Sequence, residues 1–442
     1  MEIDSFKLSY SDDSGTHELV FSKNETAQPK DCVTIGGTSY AVLSPEKDIA
    51  SAKQILGALQ VHGPFSSLVE VKHDLYQKGI KNLTTSAQLE TPTIKKIVSV
   101  LGQKFEKEYI SSSMGKVCKE KLQENLEKGM YNSILDPAVL AQVLTADLRT
   151  ITNDKHVKVF VWEGKEPKLV STAVVPQAPN STPQATPEPH LAGLNQLKEC
   201  HAAFQKEQYG IQAARILEGT ATGYVDLRCF PRNDTIPEDV LDGKEGGLPA
   251  SREMKQAIRN EEAAIQRDIR AAFDKAMAAI HNAESIVIDL RHNEGGDPRI
   301  VEYLLSYFLE AGIPLNTIQY REKSAAEFTS LPEEVIPRNQ RRLLTPLYVL
   351  TSESTFSGGE EFAYDLKNLG RATIIGNVTA GGANPCTLYN ISDEEEMLAV
   401  ISTGQARSPY TGTNWEGEGV IPDVMTDPAS ALDVALKMIR EK

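Results

Sequence analysis

The stretch PLYVLTSESTFSGGEEFAYDLKNLGRATIIGNVTAGGANP, residues 346–385, predicts a strand, a helix and a second strand in that order. The apolar run at residues 347–350 is typical of a buried strand, and a helical pattern begins at Gly358. A second apolar run follows at residues 372–375. Ser357 therefore lies where a strand gives way to a helix. Backbone N–H groups at the start of a helix lack partners within the helix, and the helix dipole is positive there.

Two roles fit Ser357 at this position. A nucleophilic serine would benefit, because an oxyanion that forms on its substrate meets N–H donors already directed towards it. A structural role also fits, since Ser357 and Glu360 have the S-x-x-E spacing of a capping box. Local sequence alone favours the cap. Three more distant features reverse that preference and favour the nucleophile.

The first distant feature is a glycine-rich turn after another strand. The sequence SIVIDLRHNEGGDPRIVEYLL, residues 285–305, predicts a buried strand at 286–290, a tight turn at 293–296 and then a helix. The paired glycines lack a Cβ atom, so the backbone can approach another group closely there. A glycine N–H could then be a second donor to the oxyanion. The alternative is an ordinary turn between a strand and a helix.

The other two features are a histidine and a pair of acids. His156 lies in LRTITNDKHVKVFVW, residues 148–162, between a turn and an alternating strand pattern. A lone histidine is usually a surface or packed residue, but a serine nucleophile needs a base of suitable pKa. Glu416 and Glu418 lie in the glycine-rich stretch GTNWEGEGVIPDV, residues 412–424. A carboxylate that orients the histidine would complete a relay. The alternative is a solvated acidic turn.

Four motifs carry a family resemblance. They are DLR-x-N-x-GG at residues 289–296, TFS-x-x-EEFAYDLK-x-LGRATI-x-G-x-x-T-x-GGA at 355–383, WEG-x-GV-x-PDV at 415–424 and NDKH at 153–156. Together they resemble the tail-specific or C-terminal processing peptidase superfamily. Within it, the chain looks closest to the branch that contains the interphotoreceptor retinoid-binding protein modules and the tricorn protease core. The resemblance extends from about residue 92 to the C-terminus.

The resemblance implies roles for individual residues. Ser357 matches the nucleophile, and Gly358 and Gly296 match the residues whose N–H groups bind the oxyanion. The processing peptidases carry a general-base lysine at the position that is Gly382 in this chain. A Ser/Lys dyad is therefore not expected here.

The tricorn-like branch implies a histidine and a glutamate instead. His156 matches a histidine from the domain before the core, and Glu416 matches a glutamate from the end of the core. Glu418 remains an alternative for the orienting acid. That branch has a serine next to its histidine, whereas this chain has Lys155 or Asp154 there, so the fourth member of the tetrad has no match.

Composition limits the partners and the compartment. A formal net charge of −15 over 442 residues argues against binding to nucleic acid or to an anionic membrane surface. No run approaches the ~18 apolar residues of a membrane span, and no signal peptide is visible. The five scattered cysteines suit free thiols in a reducing compartment and lack metal-ligand spacing. We therefore expect a cytoplasmic protein, or one secreted by a route without a visible signal peptide.

The chain is predicted to comprise four parts. Residues 1–90 alternate like strands and then become helical, which indicates a small α+β domain of no recognised family. Residues 91–165 are predicted to form a helical domain that carries His156, and the proline-rich residues 166–193 a linker or long loop. Residues 194–442 alternate strands and helices. For them the resemblance implies an α/β core of the ClpP/crotonase-like type, built from stacked βα units.

These observations predict a serine-type peptidase. It would cleave peptides, unfolded proteins or the C-terminal regions of proteins through a Ser/His/Glu relay, with no cofactor or metal. Two alternatives of other classes stay open: a protein that binds a hydrophobic, retinoid-like ligand without catalysis, and a catalytically inactive interaction scaffold. No nucleic-acid partner and no membrane span are expected, and a homo-oligomer is left open.

Overall fold

The computed structural model divides the chain into two compact units. It describes residues 5–12, 15–23, 32–35, 38–42, 81–85, 91–131, 134, 136–161, 189–232, 241–242, 250–321, 327–331, 336–392 and 396–441. The first unit comprises Met1–Asn153, Val157–Glu163 and Tyr389–Ile401. The second comprises Asp154–His156, Gly164–Leu388 and Ser402–Lys442. His156 and Ser357 therefore belong to the same unit.

The first unit begins with an antiparallel sheet. Its strands are β1 (Ser5–Asp12), β2 (Gly15–Lys23), β3 (Cys32–Ile35), β4 (Thr38–Val42) and β5 (Lys81–Thr85). Their order in the sheet is β3-β4-β2-β1-β5. β1 and β2 form a hairpin that pairs Ser5 with Ser22 and Asp12 with Gly15. The helices that the sequence predicts at residues 46–59 and 68–77 lie outside the described residues.

Three helices and a strand follow in the first unit. They are α1 (Thr91–Glu108), α2 (Ser112–Glu127), α3 (Pro137–Thr152) and β6 (Lys158–Val161). Their core includes the fully buried Leu101, Phe105, Leu122 and Leu144. The apolar helix faces come together because each alone would expose a stripe to water.

Helix α3 directs the chain towards His156. Asp136 caps its start, since the carboxylate accepts hydrogen bonds from the backbone N–H groups of Ala138 and Val139. Asn153 ends the helix in a left-handed conformation with φ +52°. The chain then turns through residues 154–156 and enters β6.

The second unit is a mixed α/β fold with a central sheet. Its six strands, in the order β17-β13-β12-β9-β8-β7, are β7 (Ile211–Ile216), β8 (Thr222–Leu227), β9 (Ser285–Asp289), β12 (Leu347–Thr351), β13 (Thr373–Gly376) and β17 (Val424–Met425). All neighbours pair in parallel except the edge strand β7, which is antiparallel to β8. Leu347 of β12 lies opposite Ile286 of β9, so the strands predicted at residues 286–290 and 347–350 are neighbours in the sheet.

Helices cover both faces of this sheet. They are α4 (Pro189–Lys206), α5 (Arg252–Ala279), α6 (Pro298–Leu305), α7 (Gly358–Asn368) and α8 (Ala431–Arg440). Ile286 and Val349 face the larger core, whereas Val287 and Tyr348 face α8 through Ala431. Strand residues point alternately to the two faces, and the apolar centres of these strands suit a parallel sheet covered on both sides.

Smaller elements complete the described chain. A second sheet has the order β11-β10-β16, from β10 (Pro314–Tyr320), β11 (Glu327–Ser330) and β16 (Gly404–Arg407). A third has the order β14-β15-β6, with β14 (Cys386–Ser392) and β15 (Met397–Ser402). Short 3₁₀ turns span Gln208–Gly210, Arg338–Gln340 and Pro428–Ser430. Among the helices in the described ranges, none has the length and apolar character needed to cross a membrane.

The units differ in three places from the predicted four-part division. His156 was predicted within the helical domain but groups with the second unit. Residues 389–401 were predicted within the core, yet they group with the first unit because β15 pairs with β6. Helix α4 begins at Pro189, inside the predicted linker at 166–193, since a proline is favoured at the start of a helix. The remainder of that linker lies largely outside the described residues.

Candidate active site

Ser357 occupies a strained turn between β12 and α7. Its backbone has φ +50° and ψ −120°, a region that costs a residue with a side chain about 1–3 kcal/mol. An ordinary N-cap residue has an extended backbone instead, so a capping role does not account for this conformation. Strained turns from strand to helix are known to expose nucleophilic serines. The geometry therefore favours the nucleophile over the cap.

Asn293 joins this turn to the glycine-rich turn after β9. Its backbone carbonyl accepts a 2.9 Å hydrogen bond from the N–H of Phe356. Its fully buried side chain accepts from the N–H of Gly295 at 2.8 Å and donates to the carbonyl of Leu227 at 3.0 Å. The sequence motif contained Asn293, but its link between the two turns depends on the neighbouring strands and had no local signal.

His156 lies against the candidate nucleophile. Its Nε2 atom is 3.0 Å from Oγ of Ser357, within hydrogen-bond distance. Its ring packs on Phe356 with the ring centroids 4.6 Å apart. Its backbone N–H donates a 3.0 Å hydrogen bond to Asp154. The structure thus brings together two residues that are far apart in sequence, as expected of a base and its nucleophile.

Gly382 provides space for these rings. A Cβ atom on this residue would lie 2.3 Å from Cε2 of Phe356 and 2.9 Å from Cε1 of His156. Real Cβ atoms do not approach other atoms this closely. The motif resemblance implies a lysine of the processing peptidases at this position. In this chain the rings of Phe356 and His156 fill the space beside Gly382.

Glu416 is near His156 but does not make the predicted hydrogen bond. Its Oε2 atom accepts from the backbone N–H groups of Ala383 at 2.6 Å and Asn384 at 3.0 Å. Its Oε1 atom is buried and has no hydrogen-bond partner among the described residues. Two loop amides therefore anchor one oxygen, and the other remains available on the buried side. Glu418 is exposed, which leaves Glu416 as the better placed of the two acids.

Asp154 adds a second carboxylate beside His156. One donor atom from each of Asp154, His156 and Glu416 lies within 4.8 Å of the other two. Burial and the negative charge of Asp154 together raise the pKa of Glu416 to about 7. Such a group of side chains could also hold a cation, but the contact between His156 and Ser357 favours a catalytic relay. Asp154 stands at one of the two positions considered for the missing tetrad serine.

The turn that holds Gly295 and Gly296 lies beside the start of α7 at Gly358. A Cβ atom on Gly295 would be 2.9 Å from the nitrogen of Gly358, and one on Gly358 would be 3.2 Å from the nitrogen of Gly296. Among the described residues, neither Gly296 N nor Gly358 N donates a hydrogen bond to the protein. Gly296 has φ +137° and pairs with Phe230 through an isolated parallel bridge. Both N–H groups can therefore serve a ligand.

Glu360 has a larger role in this site than the sequence suggested. Its side chain is fully buried and accepts hydrogen bonds from Ser357, Thr379, Gly381 and Gly382. Burial raises the pKa of Glu360, and these donors oppose that rise. The S-x-x-E spacing correctly predicted the contact with Ser357. The contacts with residues 379–382 had no signal in the local sequence.

Solved structures resemble this chain only distantly. A protein of Parabacteroides merdae ATCC 43184 that is assigned as a peptidase aligns with TM-score 0.47 and 14% identity, covering 78% of this chain and 96% of its own. The photosystem II D1 C-terminal processing protease aligns with TM-score 0.39 and 15% identity over 76% and 94%. The tricorn protease aligns with TM-score 0.39 and 14% identity over 82% and 37%. At these values they add nothing to the assignment of a function.

Two sequence families match adjoining parts of the chain. Residues 252–426 match peptidase family S41, and this range contains Ser357, Glu360 and both glycine turns. Residues 89–193 match the N-terminal domain of family S41 peptidases found in eukaryotic IRBP, and this range contains His156. Both matches agree with the resemblance that the motifs indicated, and the match to the peptidase family favours the peptidase over a binding protein or a scaffold. The chain therefore belongs to peptidase family S41, and this membership supports a serine-type peptidase.

Proposed function

We propose that this serine-type peptidase works through Ser357, His156 and Glu416, with the N–H groups of Gly296 and Gly358 as the oxyanion hole. The observation that carries this proposal is the 3.0 Å contact between Nε2 of His156 and Oγ of Ser357. It occurs at a residue whose strained backbone has no purely structural explanation. A binding protein or scaffold would have no need of this pairing.

The first half of the reaction forms an acyl-enzyme. Oγ of Ser357 attacks the carbonyl carbon of the scissile peptide bond while Nε2 of His156 accepts the hydroxyl proton. The carbonyl oxygen becomes an oxyanion that Gly296 N–H and Gly358 N–H stabilise, and the loss of one such donor typically costs ~10²–10³ in rate. The C–N bond then breaks as His156 returns its proton to the leaving amine.

The second half releases the acyl group. A water molecule takes the place of the amine, and His156 accepts its proton as the water oxygen attacks the acyl carbonyl. The same two N–H groups stabilise the second oxyanion. Its collapse breaks the ester bond, and His156 returns the proton to Oγ of Ser357. Ser357 and His156 end in their starting states, and no cofactor takes part.

Glu416 is the proposed orienting acid for His156. Its Oε1 atom is buried without a hydrogen-bond partner among the described residues, and the carboxylate approaches the histidine. Catalytic hydrogen bonds are often long in the absence of substrate and tighten when it binds. A charged Glu416 would fix the tautomer of the imidazole and stabilise the imidazolium that forms during attack.

The proposed substrate class and the proposed fold type of the core rest on the motif resemblance. We propose that the substrates are peptides, unfolded proteins or the C-terminal regions of proteins, as in the tail-specific peptidases. The core is proposed to be of the ClpP/crotonase-like type, and the parallel run β8-β9-β12-β13 with its intervening helices supports that assignment. The four-part division of the chain is kept as a proposal, with the three differences described above.

A fluorophosphonate probe tests the nucleophile. The probe forms a covalent bond only with an activated serine, so the wild type should be labelled and Ser357→Ala should not. Ser354→Ala is a matched control, because Ser354 is an exposed serine in the same turn. Peptide hydrolysis should follow the labelling. Labelling of Ser357→Ala at the wild-type rate, or no labelling of the folded wild type, would overturn the proposed function.

A further inference from the structure

Glu360 is the point at which two loops of the candidate site meet. Its Oε2 atom accepts hydrogen bonds from the N–H of Ser357 at 2.9 Å and of Gly382 at 2.8 Å. Its Oε1 atom accepts from the N–H of Gly381 at 2.6 Å and the hydroxyl of Thr379 at 2.5 Å. Each oxygen thus receives two donors, and no solvent reaches the side chain.

This arrangement exceeds what a helix cap requires. A capping box needs only that the glutamate accept from the N–H of the N-cap residue, which is the contact with Ser357. The three other donors come from the loop after β13, at residues 379–382. A neutral side chain could not replace the carboxylate here, because an amide would turn one of its two acceptor oxygens into a donor.

Both loops that Glu360 joins touch the reacting groups. On one side, it binds the backbone of the nucleophile and helps to hold Ser357 in its strained conformation. On the other side, it fixes Gly382, whose missing side chain leaves room for the rings of Phe356 and His156. The same loop is tied at Gly382 by a 2.8 Å hydrogen bond from the indole of Trp415 to its carbonyl.

We infer that Glu360 is a positioning residue, which sets the distance between Ser357 and His156 by tying the nucleophile turn to the loop at residues 379–382. This inference rests on the proposed function, since it assigns the geometry of the same nucleophile and base. Glu360 itself touches neither the substrate nor the leaving group. It acts through the backbone of Ser357 and through the packing of Gly382 against His156.

The rate of fluorophosphonate labelling tests this inference. Glu360→Gln keeps the size of the side chain but places an amide against backbone donors, so we expect labelling to slow by about 10- to 100-fold, as a displacement of about 1 Å can do. Asp289→Asn is the matched control. This substitution also removes the charge of a buried carboxylate, but Asp289 accepts hydrogen bonds from Tyr224 and Arg291 and not from the turn that holds Ser357. The labelling rate of Asp289→Asn should therefore stay near the wild-type value.

Melting temperatures separate positioning from a structural role. Both variants are compared well below their melting temperatures, with rates corrected for folded protein. Slow labelling of folded Glu360→Gln beside normal labelling of Asp289→Asn supports the inference. Equal labelling rates for Glu360→Gln and the wild type overturn it, and so does a loss of labelling that follows the folded fraction alone.

If Glu360→Gln does not fold, Glu360→Asp replaces it, because the shorter side chain keeps the charge but cannot span both loops. Labelling of folded Glu360→Asp at the wild-type rate overturns the inference, whereas a folded wild type that resists the probe overturns the proposed function first.

Discussion

A Cβ atom on Gly382 would lie 2.9 Å from Cε1 of His156, so a side chain at this position and the imidazole exclude each other. The motif resemblance places the general-base lysine of related peptidases at Gly382. The ring of His156 lies within reach of that position and makes the contact with Ser357. The position of the imidazole beside Ser357 therefore depends on the absence of a side chain at Gly382.

We predict that Gly382→Ala impairs the relay. The added methyl would overlap the rings of Phe356 and His156 and displace the imidazole from Ser357, so labelling and peptide hydrolysis should fall about 10- to 100-fold. Gly404→Ala is a suitable control, because its Cβ atom would lie 3.1 Å from the Tyr320 ring, a contact that a small shift relieves. Unchanged hydrolysis by Gly382→Ala would contradict the placement of His156.

We predict that Gly358→Ala weakens the oxyanion hole. Its Cβ atom would lie 3.2 Å from the nitrogen of Gly296 and from Cγ2 of Val301, so the methyl crowds the space between the two donors. The rate of hydrolysis should fall about 10-fold or more, with little change in melting temperature because alanine suits the first turn of a helix. Wild-type kcat in a folded Gly358→Ala protein would exclude this role.

Gly296→Val is a poor test of the same hole. A Cβ atom there would lie 1.7 Å from the carbonyl oxygen of Phe230, and the backbone has φ +137°. Any side chain would therefore break the bridge between Phe230 and Gly296 and unfold the turn. A loss of activity in that variant would report on folding, whereas Gly358→Ala reports on the hole.

The sequence predicted the parts of the site that have local signals. The apolar runs of β9 and β12, each followed by a small-residue turn and a helix, placed Ser357 and Gly296 at the ends of strands. Parallel strands bring such ends to one edge of a sheet. The motifs then supplied His156, which lies against Ser357, and Glu416, which lies near His156.

The remaining features depend on contacts between distant loops. The sequence indicated only a helix-capping role for Glu360. Its three other donors come from residues 379–382, where the sequence indicates only a glycine-rich turn. Glu416 was expected to bind His156, but the amides of residues 383 and 384 take one of its oxygens. Asp154 was considered only as a mismatch to a serine. A local sequence pattern does not indicate which distant loops the sheet topology brings into contact.

We predict that activity rises as the pH increases through about 7. Burial and the charge of Asp154 raise the pKa of Glu416 to about 7, so the carboxylate is protonated below that pH and cannot stabilise a charged His156. Asp154→Asn removes the neighbouring negative charge and should lower the pKa of Glu416. The midpoint of the pH profile of kcat/KM would then move to lower pH.

Glu418→Gln is the control for this pH profile, because Glu418 is exposed and should leave the midpoint in place. Glu416→Gln should lower kcat and remove the contribution of Glu416 to the profile. A midpoint that stays fixed or moves to higher pH in Asp154→Asn would contradict the coupling between the two carboxylates.

We predict that the protein loses stability as the pH rises from about 5 to about 9. The cause is a group of three acids on or near α7, the helix that follows Ser357. Burial and the charge of Glu302 raise the pKa of Glu361 to about 8, and burial raises that of Glu302 to about 7. The pKa of Asp365 is also raised by burial and by Glu361. The folded state therefore holds protons that the unfolded chain would release above about pH 5, so the free energy of unfolding falls as these acids ionise.

Glu361→Gln should remove part of this pH dependence. At pH 8.5 the variant should be more stable than the wild type by about 1–3 kcal/mol, and at pH 5 the two should melt at similar temperatures. Glu284→Gln, at an exposed position, should follow the wild type at both pH values. Thermal melts monitored by circular dichroism at pH 5, 7 and 8.5 measure the difference. A wild-type melting temperature that does not fall over this range, or a Glu361→Gln variant that is less stable at pH 8.5, would show that the folded protein does not hold these acids in the protonated form.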